Sequence, residues 1–408
     1  MTLVERALTF GPPHTEGTQV LAVGKAAAAM AAGALRVLGA RITGGVVVAA
    51  DLSGDLSPLE TIVGDHPTPS RASESAGQRA MALAASVPEG QSLLVLLSGG
   101  ASSLMAAPAE GLTLADKRQT TELLLRGGAD IHAMNTVRKH ISALKGGWLA
   151  ARASSSLRTL ALSDVVGDDR SFIGSGPTVA DPTTFGEALD VLDQRGGRHS
   201  FPIDVVRRLE RGLRGEVEET PKPDDPRLSR ARWELVGSRF DAMAGAAAEA
   251  RQRGYEVRVI EEPVVGDART AGRAYVERLR ALSAGTQPLC LISSGETTVQ
   301  VRGTGRGGRN QELAASLAEH LPALESAVAF AACGSDGVDG PTDAAGAIVD
   351  ATTPARASAA GLWPGAFLDA NDTYHFFGPL GDLIRTGPTG TNVGDLQVCL
   401  LVPAVPSS

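Results

Sequence analysis

The stretch "QSLLVLLSGGASSLM", Gln91–Met105, decides the fold. Its apolar run, Leu93–Leu97, carries no polar residue on either side of the alternation, so a strand formed there is buried on both faces. That demand is met by a parallel sheet covered by helices on both sides. The run ends abruptly in Ser98, Gly99 and Gly100, and a short helix-like segment follows. The same form recurs in "TQVLAVGK" (Thr18–Lys25), "GGVVVAAD" (Gly44–Asp51) and "RTLALSDVVGD" (Arg158–Asp168). Amphipathic runs such as "AAAAMAAGALRVLG" and "ASESAGQRAMALAASV" separate them. Ligands of such sheets gather at the carboxyl ends of the strands.

A charged, proline-rich stretch from Glu218 to Arg232 reads as a linker. Beyond it the alternation resumes in "WELVGS", "YEVRVIEE", "QPLCLISSG", "SAVAFAACGSDG" and "DLQVCLLVP". The expectation is two α/β domains, 1–225 and 232–408. The length of 408 residues accommodates both.

Composition removes several function classes. A net charge of −8 argues against a nucleic-acid partner, whose binding needs basic surface. Cys290, Cys333 and Cys399 sit in apolar runs with no C-x-x-C pair, which suits buried thiols rather than a zinc site or disulfides. No apolar stretch is long enough to span a membrane, and Glu5 and Arg6 interrupt any signal-peptide core. The expectation is a cytoplasmic protein.

Several strand ends carry candidate chemistry. "SGGASSLM" offers amides and hydroxyls of Ser98, Gly99, Gly100, Ser102 and Ser103 as a phosphate nest, against the plainer reading of a tight strand-to-helix turn. Lys25 follows Gly24 at another strand end, where a point charge suits a phosphoryl group; the surroundings are not those of a P-loop. "VRGTGRGGRNQEL" (Val301–Leu313) contains G-x-G-x-x-G in Gly303, Gly305 and Gly308. The preceding "TTVQVR" alternates like a half-exposed hairpin strand, unlike the buried strand of a dinucleotide fold. Arg306 and Arg309 make the loop a better clamp for phosphate or carboxylate, with the glycines as slack. In "CGSDGVDGPTDAAGA", Asp336, Asp339 and Asp343 suit Mg²⁺; Asp164 and Asp168 form a second acidic strand end. "HAMNTVRKHISALKGGWLA" gathers Asn135, Arg138, Lys139, His140 and Lys145, either a solvated basic face or a carboxylate site.

Taken together, these motifs resemble the glycerate 2-kinases whose second half is a MOFRL domain. "VGKAA", "GDHPTP", "LLSGGASSL", "NTVRKHISALKGG", "LSDVVGDD", "GSGPTVADPTT", "GRGGRNQE", "GSDGVDGPTDAAGA" and "TGPTGTNVGDL" carry the resemblance in order along nearly the whole chain. It implies a Rossmann-like first domain, a smaller α/β second domain and an active site in the cleft between them. It also implies ATP-dependent phosphorylation of D-glycerate to 2-phosphoglycerate with Mg²⁺. Lys25 and Arg309 match the family's active-site charges. Gly295, Glu296, Thr297 and Arg306 then join the phosphate- and nucleotide-binding set, Arg138 and Lys145 the glycerate site, and Asp336, Asp339, Asp164 and Asp168 the metal site. A homodimer is compatible with this reading. Three departures stand out: Ser294 replaces a glycine in "SSGETTV", Gly394 replaces an asparagine in "TNVGD", and no leading helix is evident before the first strand. The rival readings are an NAD(P)H-dependent hydroxypyruvate reductase and a non-catalytic sugar-acid or nucleotide sensor.

Overall fold

The structure, a computed structural model, describes residues 2–11, 17–52, 54–282, 287–324 and 326–402. The chain divides into two units, 1–236 and 237–408.

In the first unit, strands β1 (Thr18–Val23), β2 (Ile42–Ala49), β3 (Glu60–Val63), β4 (Ser92–Leu97), β5 (Leu157–Leu162) and β6 (Ala231–Gly237) form one sheet. Their order is β3-β2-β1-β4-β5-β6. The pairs β1–β2, β1–β4, β2–β3 and β4–β5 are parallel. Successive side chains of a strand point to opposite faces. Accordingly Leu21, Val23, Val95 and Leu97 join a core with the helix Arg71–Ala85, while Val20, Ala22, Leu94 and Leu96 join another with the helix Ala27–Leu38. Both faces are dry, which is why these strands are apolar throughout. The strand order reverses between β1 and β4, and such a reversal opens a crevice at the carboxyl ends of the two strands. A separate helical cluster, built on Leu124, Val137, Leu189 and Leu209, holds the helix Ile131–His140 that supplies Arg138.

Two details differ from the sequence reading. The segment "WELVG" is not the first strand of the second unit; it lies in β6, and Trp233 packs against the first unit's core. A leading helix does precede β1: Leu3–Phe10, capped by Thr2 and Glu5, buries Val4 and Leu8. With two apolar contacts in eight residues, its sequence signal is weak.

The second unit carries β7 (Glu256–Val259), β8 (Val264–Asp267), β9 (Leu289–Thr298), β10 (Ala327–Gly334), β11 (Gly346–Asp350), β12 (Leu383–Ile384) and β13 (Asp395–Val402). The order is β12-β11-β10-β13-β9-β7, with β8 also on β9. Only β7 and β8 run parallel to β9; the other pairs are antiparallel. Helices Ala268–Ala281 and Arg309–Ala318 cover one face around Phe330, and Arg239–Gln252 covers the other around Ile292. The expected hairpin strand does not form: β9 stops at Thr298, and 299–308 run without strand structure. The end of β9 pairs instead with β8, where a Cβ on Gly295 would lie 2.0 Å from the Val264 carbonyl oxygen. That glycine is fixed by strand packing. All three cysteines are free, with Cys290 and Cys399 buried and Cys333 partly so. Among the described residues no helix is long and apolar enough to cross a membrane.

Candidate active site

The turns after β1 and β4 are laced together. The Lys25 amide donates to the Gly99 carbonyl at 2.8 Å, and the Ala26 amide donates to Ser98 Oγ at 3.1 Å. Gly24, at φ +126°, leaves no room for a side chain, because a Cβ would sit 2.1 Å from Ser98 Oγ. Ser98 is therefore a buried clasp of the turn. Gly100, at φ +82°, is flanked by the Lys25 stem and the His66 ring, which a Cβ would meet at 3.3 and 3.1 Å. Ser102 and Ser103 lie on the short helix Ala101–Leu104 that follows.

Ser102 is the meeting point of a second group. Arg138 Nη2 donates to its Oγ at 2.5 Å and Lys145 Nζ at 2.7 Å; Lys145 also donates to its carbonyl at 2.9 Å. Ser175 Oγ lies 3.0 Å from Ser102 Oγ and donates to Asn135 Oδ1 at 2.8 Å. Lys145 is 1% exposed. Burial, reinforced by the charges of Arg138 and Lys117, holds its pKa well below the lysine range, and burial lowers Arg138 to about 10. Lys117, buried nearby and lowered to about 7 by burial and then by Arg138, bonds the Ile141 carbonyl at 3.0 Å. Arg208 bonds the His140 carbonyl at 3.0 Å. Those two cations answer the partial negative charge at the end of the helix Ile131–His140. Arg138 bonds the Ser102 hydroxyl and Lys145 that hydroxyl and the Ser102 carbonyl, and among the described residues neither forms an ion pair. Arg138 is half-buried, and a guanidinium partly withdrawn from water is costly without an opposing charge, which a bound carboxylate or phosphate supplies.

The charges of the second unit are balanced internally. Arg309 bonds Asp395 through Nε at 2.6 Å and Nη2 at 2.9 Å, and its Nη1 lies 3.4 Å from Glu296. Burial is the largest single influence and opposes its charge, but the Asp395 hydrogen bonds together with the charges of Asp395, Glu296 and Asp339 raise its pKa. The start of the helix Arg309–Ala318 is already occupied: Asp339 accepts the Asn310 amide at 3.0 Å and the Gln311 amide at 2.9 Å. Burial raises Asp339 to about 6, and those two amides pull it back only in part. Ser294, the residue that replaces a glycine, accepts a hydrogen bond from Arg239 at 3.0 Å. Thr297 Oγ1 is buried with no hydrogen-bond partner.

The glycines of the Arg306 loop are not slack. A Cβ on Gly303 would meet the Ala370 carbonyl oxygen at 2.2 Å, on Gly305 the Asp372 Cβ at 2.3 Å, and on Gly308 the Asp339 Cγ at 2.3 Å. The loop lies flat against these backbones, and glycine permits the approach. Arg306 stacks on Tyr374, 4.9 Å from guanidinium carbon to ring centre, and donates to the Pro341 carbonyl at 3.0 Å.

Among the described residues no three His, Cys, Asp or Glu side chains group as a metal cluster. Mg²⁺ beside a nucleotide needs only one or two carboxylates, since phosphates and water complete its shell. Asp168 fits that need: it sits at φ +54° in the turn after β5, and its Oδ1 is buried without a hydrogen-bond partner. Asp164 lies in the same turn. Asp336 Oδ1 accepts the Val338 amide at 3.0 Å, and both Asp339 oxygens are taken by amides. Four residues in these clusters escape sequence reasoning. His66 and Ser175 lie in motifs with no chemical pattern of their own, Lys117 sits on an ordinary amphipathic helix, and Asp395 was visible only as the residue after Gly394.

The family described as a domain of unknown function, DUF4147, matches residues 3–210, and the MOFRL family matches 289–395. The chain is 39% identical to a D-glycerate 2-kinase of Thermotoga maritima, over 94% of this chain and 90% of that one. It is 38% identical to a putative hydroxypyruvate reductase of Agrobacterium vitis, over 94% and 86%. A crystal structure of glycerate kinase from Thermotoga maritima superposes with a TM-score of 0.83 at 39% identity, covering 95% of this chain and 92% of that one.

Proposed function

This chain belongs to the glycerate kinase family, and on that premise we propose that it transfers the γ-phosphoryl group of ATP to the 2-hydroxyl of D-glycerate. The observation that carries this reading is Arg138, half-buried beside the buried Lys145 and paired with no carboxylate among the described residues, which suits a small carboxylate substrate. Phosphoryl transfer asks chiefly for positioning and charge neutralisation. Arg138 holds the carboxylate through its planar fork. The amides of Gly99 and Gly100, with Ser103, receive phosphate oxygens at the strand ends. Lys25 opposes the charge that develops on the transferring group, a role the family resemblance also assigns to Arg309. Arg309 is held for that task by Asp395 and Glu296. Asp168, with Asp164, would hold a Mg²⁺ ion, which neutralises phosphate charge. The same reading places the enzyme in the cytoplasm, as a homodimer that sedimentation can check.

The test is incubation with ATP, Mg²⁺ and D-glycerate, with the product identified by ³¹P and ¹³C NMR. The expected product is 2-phosphoglycerate; its absence overturns the proposal. The reductase name borne by one relative is tested by adding hydroxypyruvate and NADH, where the expected outcome is no loss of coenzyme absorbance. The loop that spells G-x-G-x-x-G favours that outcome, since its glycines face the chain's own backbone.

A further inference from the structure

The hydrogen-bond count around Ser102 says more about Lys145 than that it is basic. Ser175 has one hydroxyl proton, and it goes to Asn135 Oδ1. The short Ser102–Ser175 contact of 3.0 Å must therefore use the proton of Ser102. That leaves Ser102 Oγ only as an acceptor toward Arg138 and Lys145, and the Ser102 carbonyl is an acceptor as well. Lys145 thus gives two hydrogens to Ser102 and makes no third hydrogen bond among the described residues. A neutral amine has two N–H bonds and one lone pair, which matches this count. An ammonium would leave its third N–H buried without a partner, a costly arrangement.

The neighbouring charges agree. Arg138 shares the same Ser102 oxygen, and Lys117 stands behind on the helix Leu114–Arg126; both repel a proton on Lys145. The carboxylate beside the following turn, Asp181, is engaged by Lys139 at 3.2 Å and by Thr183 and Thr220.

We propose that Lys145 is the general base of the reaction: its free lone pair takes the proton of the glycerate 2-hydroxyl as that oxygen bonds the γ-phosphorus. The bond between the γ-phosphorus and the bridging oxygen to the β-phosphorus breaks, ADP leaves with that electron pair, and the proton later passes from Nζ to solvent. Arg138 alone then carries the substrate carboxylate. The inference rests on the kinase reading above and adds to it a residue that touches the reacting hydroxyl.

Three variants in the full chain test it with ATP, Mg²⁺ and D-glycerate: Lys145→Ala, Lys145→Arg and, as a control for charge, Arg138→Lys. A positioned base contributes roughly 10²–10⁴-fold. Lys145→Ala should lose kcat by about that factor with KM for glycerate changed less than about threefold, and small primary amines should restore turnover in order of their basicity. Lys145→Arg keeps a charge but cannot accept a proton, so it should be as slow as Lys145→Ala and gain nothing from amines. Arg138→Lys should show its loss mainly in KM. If Lys145→Arg turns over like wild type, or amines restore nothing to a Lys145→Ala protein that binds glycerate normally, Lys145 is not the base. Wild-type protein labelled with [¹³C]lysine gives a readout that does not depend on turnover. The buried Cε resonance that Lys145→Arg removes should titrate below the ordinary lysine range, apart from that of Lys117, which burial also lowers, and its persistence as ammonium to pH 9 overturns the proposal. A wild type that makes no phosphoglycerate defeats the kinase reading and this role with it, whereas an active wild type with an active Lys145→Arg defeats this role alone.

Discussion

The first unit keeps a basic cluster that no carboxylate opposes, beside the ion pair Lys139–Asp181, whereas in the second unit carboxylates grip Arg309. Around Ser102, Arg138 and Lys145 meet on a single hydroxyl with no carboxylate beside them. Around Arg309, Asp395 and Glu296 supply the opposing charge, and Asp339 fills the helix start that a ligand anion would otherwise take. The difference teaches how to sort glycine-rich, basic motifs. A buried cation without a protein partner is arranged for a ligand. A cation already gripped by carboxylates is arranged to stay where it is.

This contrast makes opposite demands on stability and activity. Removing Arg309 should do the largest damage. Arg309→Ala leaves Asp395, 2% exposed, without its partner. Breaking a fully buried pair costs about 3–5 kcal/mol; since the Arg309 side chain is 35% exposed, about 2–3 kcal/mol is expected, together with a fall in kcat of at least about 10²-fold. Urea unfolding and steady-state kinetics measure both, and an unchanged unfolding midpoint would break the comparison. Arg138→Met is the counterpart. It should raise the KM for glycerate by about 30- to 1,000-fold, the loss of a charge-assisted contact worth about 2–4 kcal/mol. Its thermal midpoint should equal or exceed that of wild type, because a partly buried guanidinium that no carboxylate of the chain opposes has gone. A marked drop in that midpoint would mean Arg138 has a structural partner after all.

Asp339 gives a smaller effect with a definite sign. Its carboxyl is raised to about 6 by burial, so between the ordinary aspartate range and pH 6 the folded chain binds a proton that the unfolded chain releases. Stability from this group is fully present below that window and is lost as pH rises through about 6. Compared by urea unfolding at pH 4 and pH 7.5, wild type should lose on the order of 2–3 kcal/mol relative to Asp339→Asn. A pH-independent difference between the two would refute the assignment. Arg306→Ala should do least. Its stacking on half-buried Tyr374 is worth about 0.5–1 kcal/mol, and turnover should fall less than about threefold. A large loss in kcat would show that Arg306 grips a ligand as well as the loop.

Much of this was legible from the sequence because parallel sheets announce themselves. Leu93–Leu97 and its counterparts had to be buried on both faces, and the small residues after them had to be strand ends. The second unit was legible only as α/β. Whether β13 lies antiparallel between β9 and β10 depends on pairing between segments far apart in the chain, which no local pattern encodes. The polar alternation of "TTVQVR" predicted a hairpin strand, but β8 supplies the neighbour that β9 needs. The leading helix was missed because eight residues with two buried side chains hardly rise above coil.

The sequence by itself determined which residue types stand at which strand ends: Lys25 after β1, Ser98–Gly100 after β4, Asp164 and Asp168 after β5, Arg309 at a helix start. Those placements follow from local periodicity and from where apolar runs stop. Only the tertiary structure decided which of these groups are spent on the protein itself. Ser98 became a clasp, Asp339 a helix cap and the loop glycines a packing surface, while Arg138 and Lys145 were left without an opposing charge. The physical reason is that pairing is set by neighbours in space. Arg309 meets Asp395 and Ser102 meets Lys145 across distances in the chain over which sequence carries no geometry.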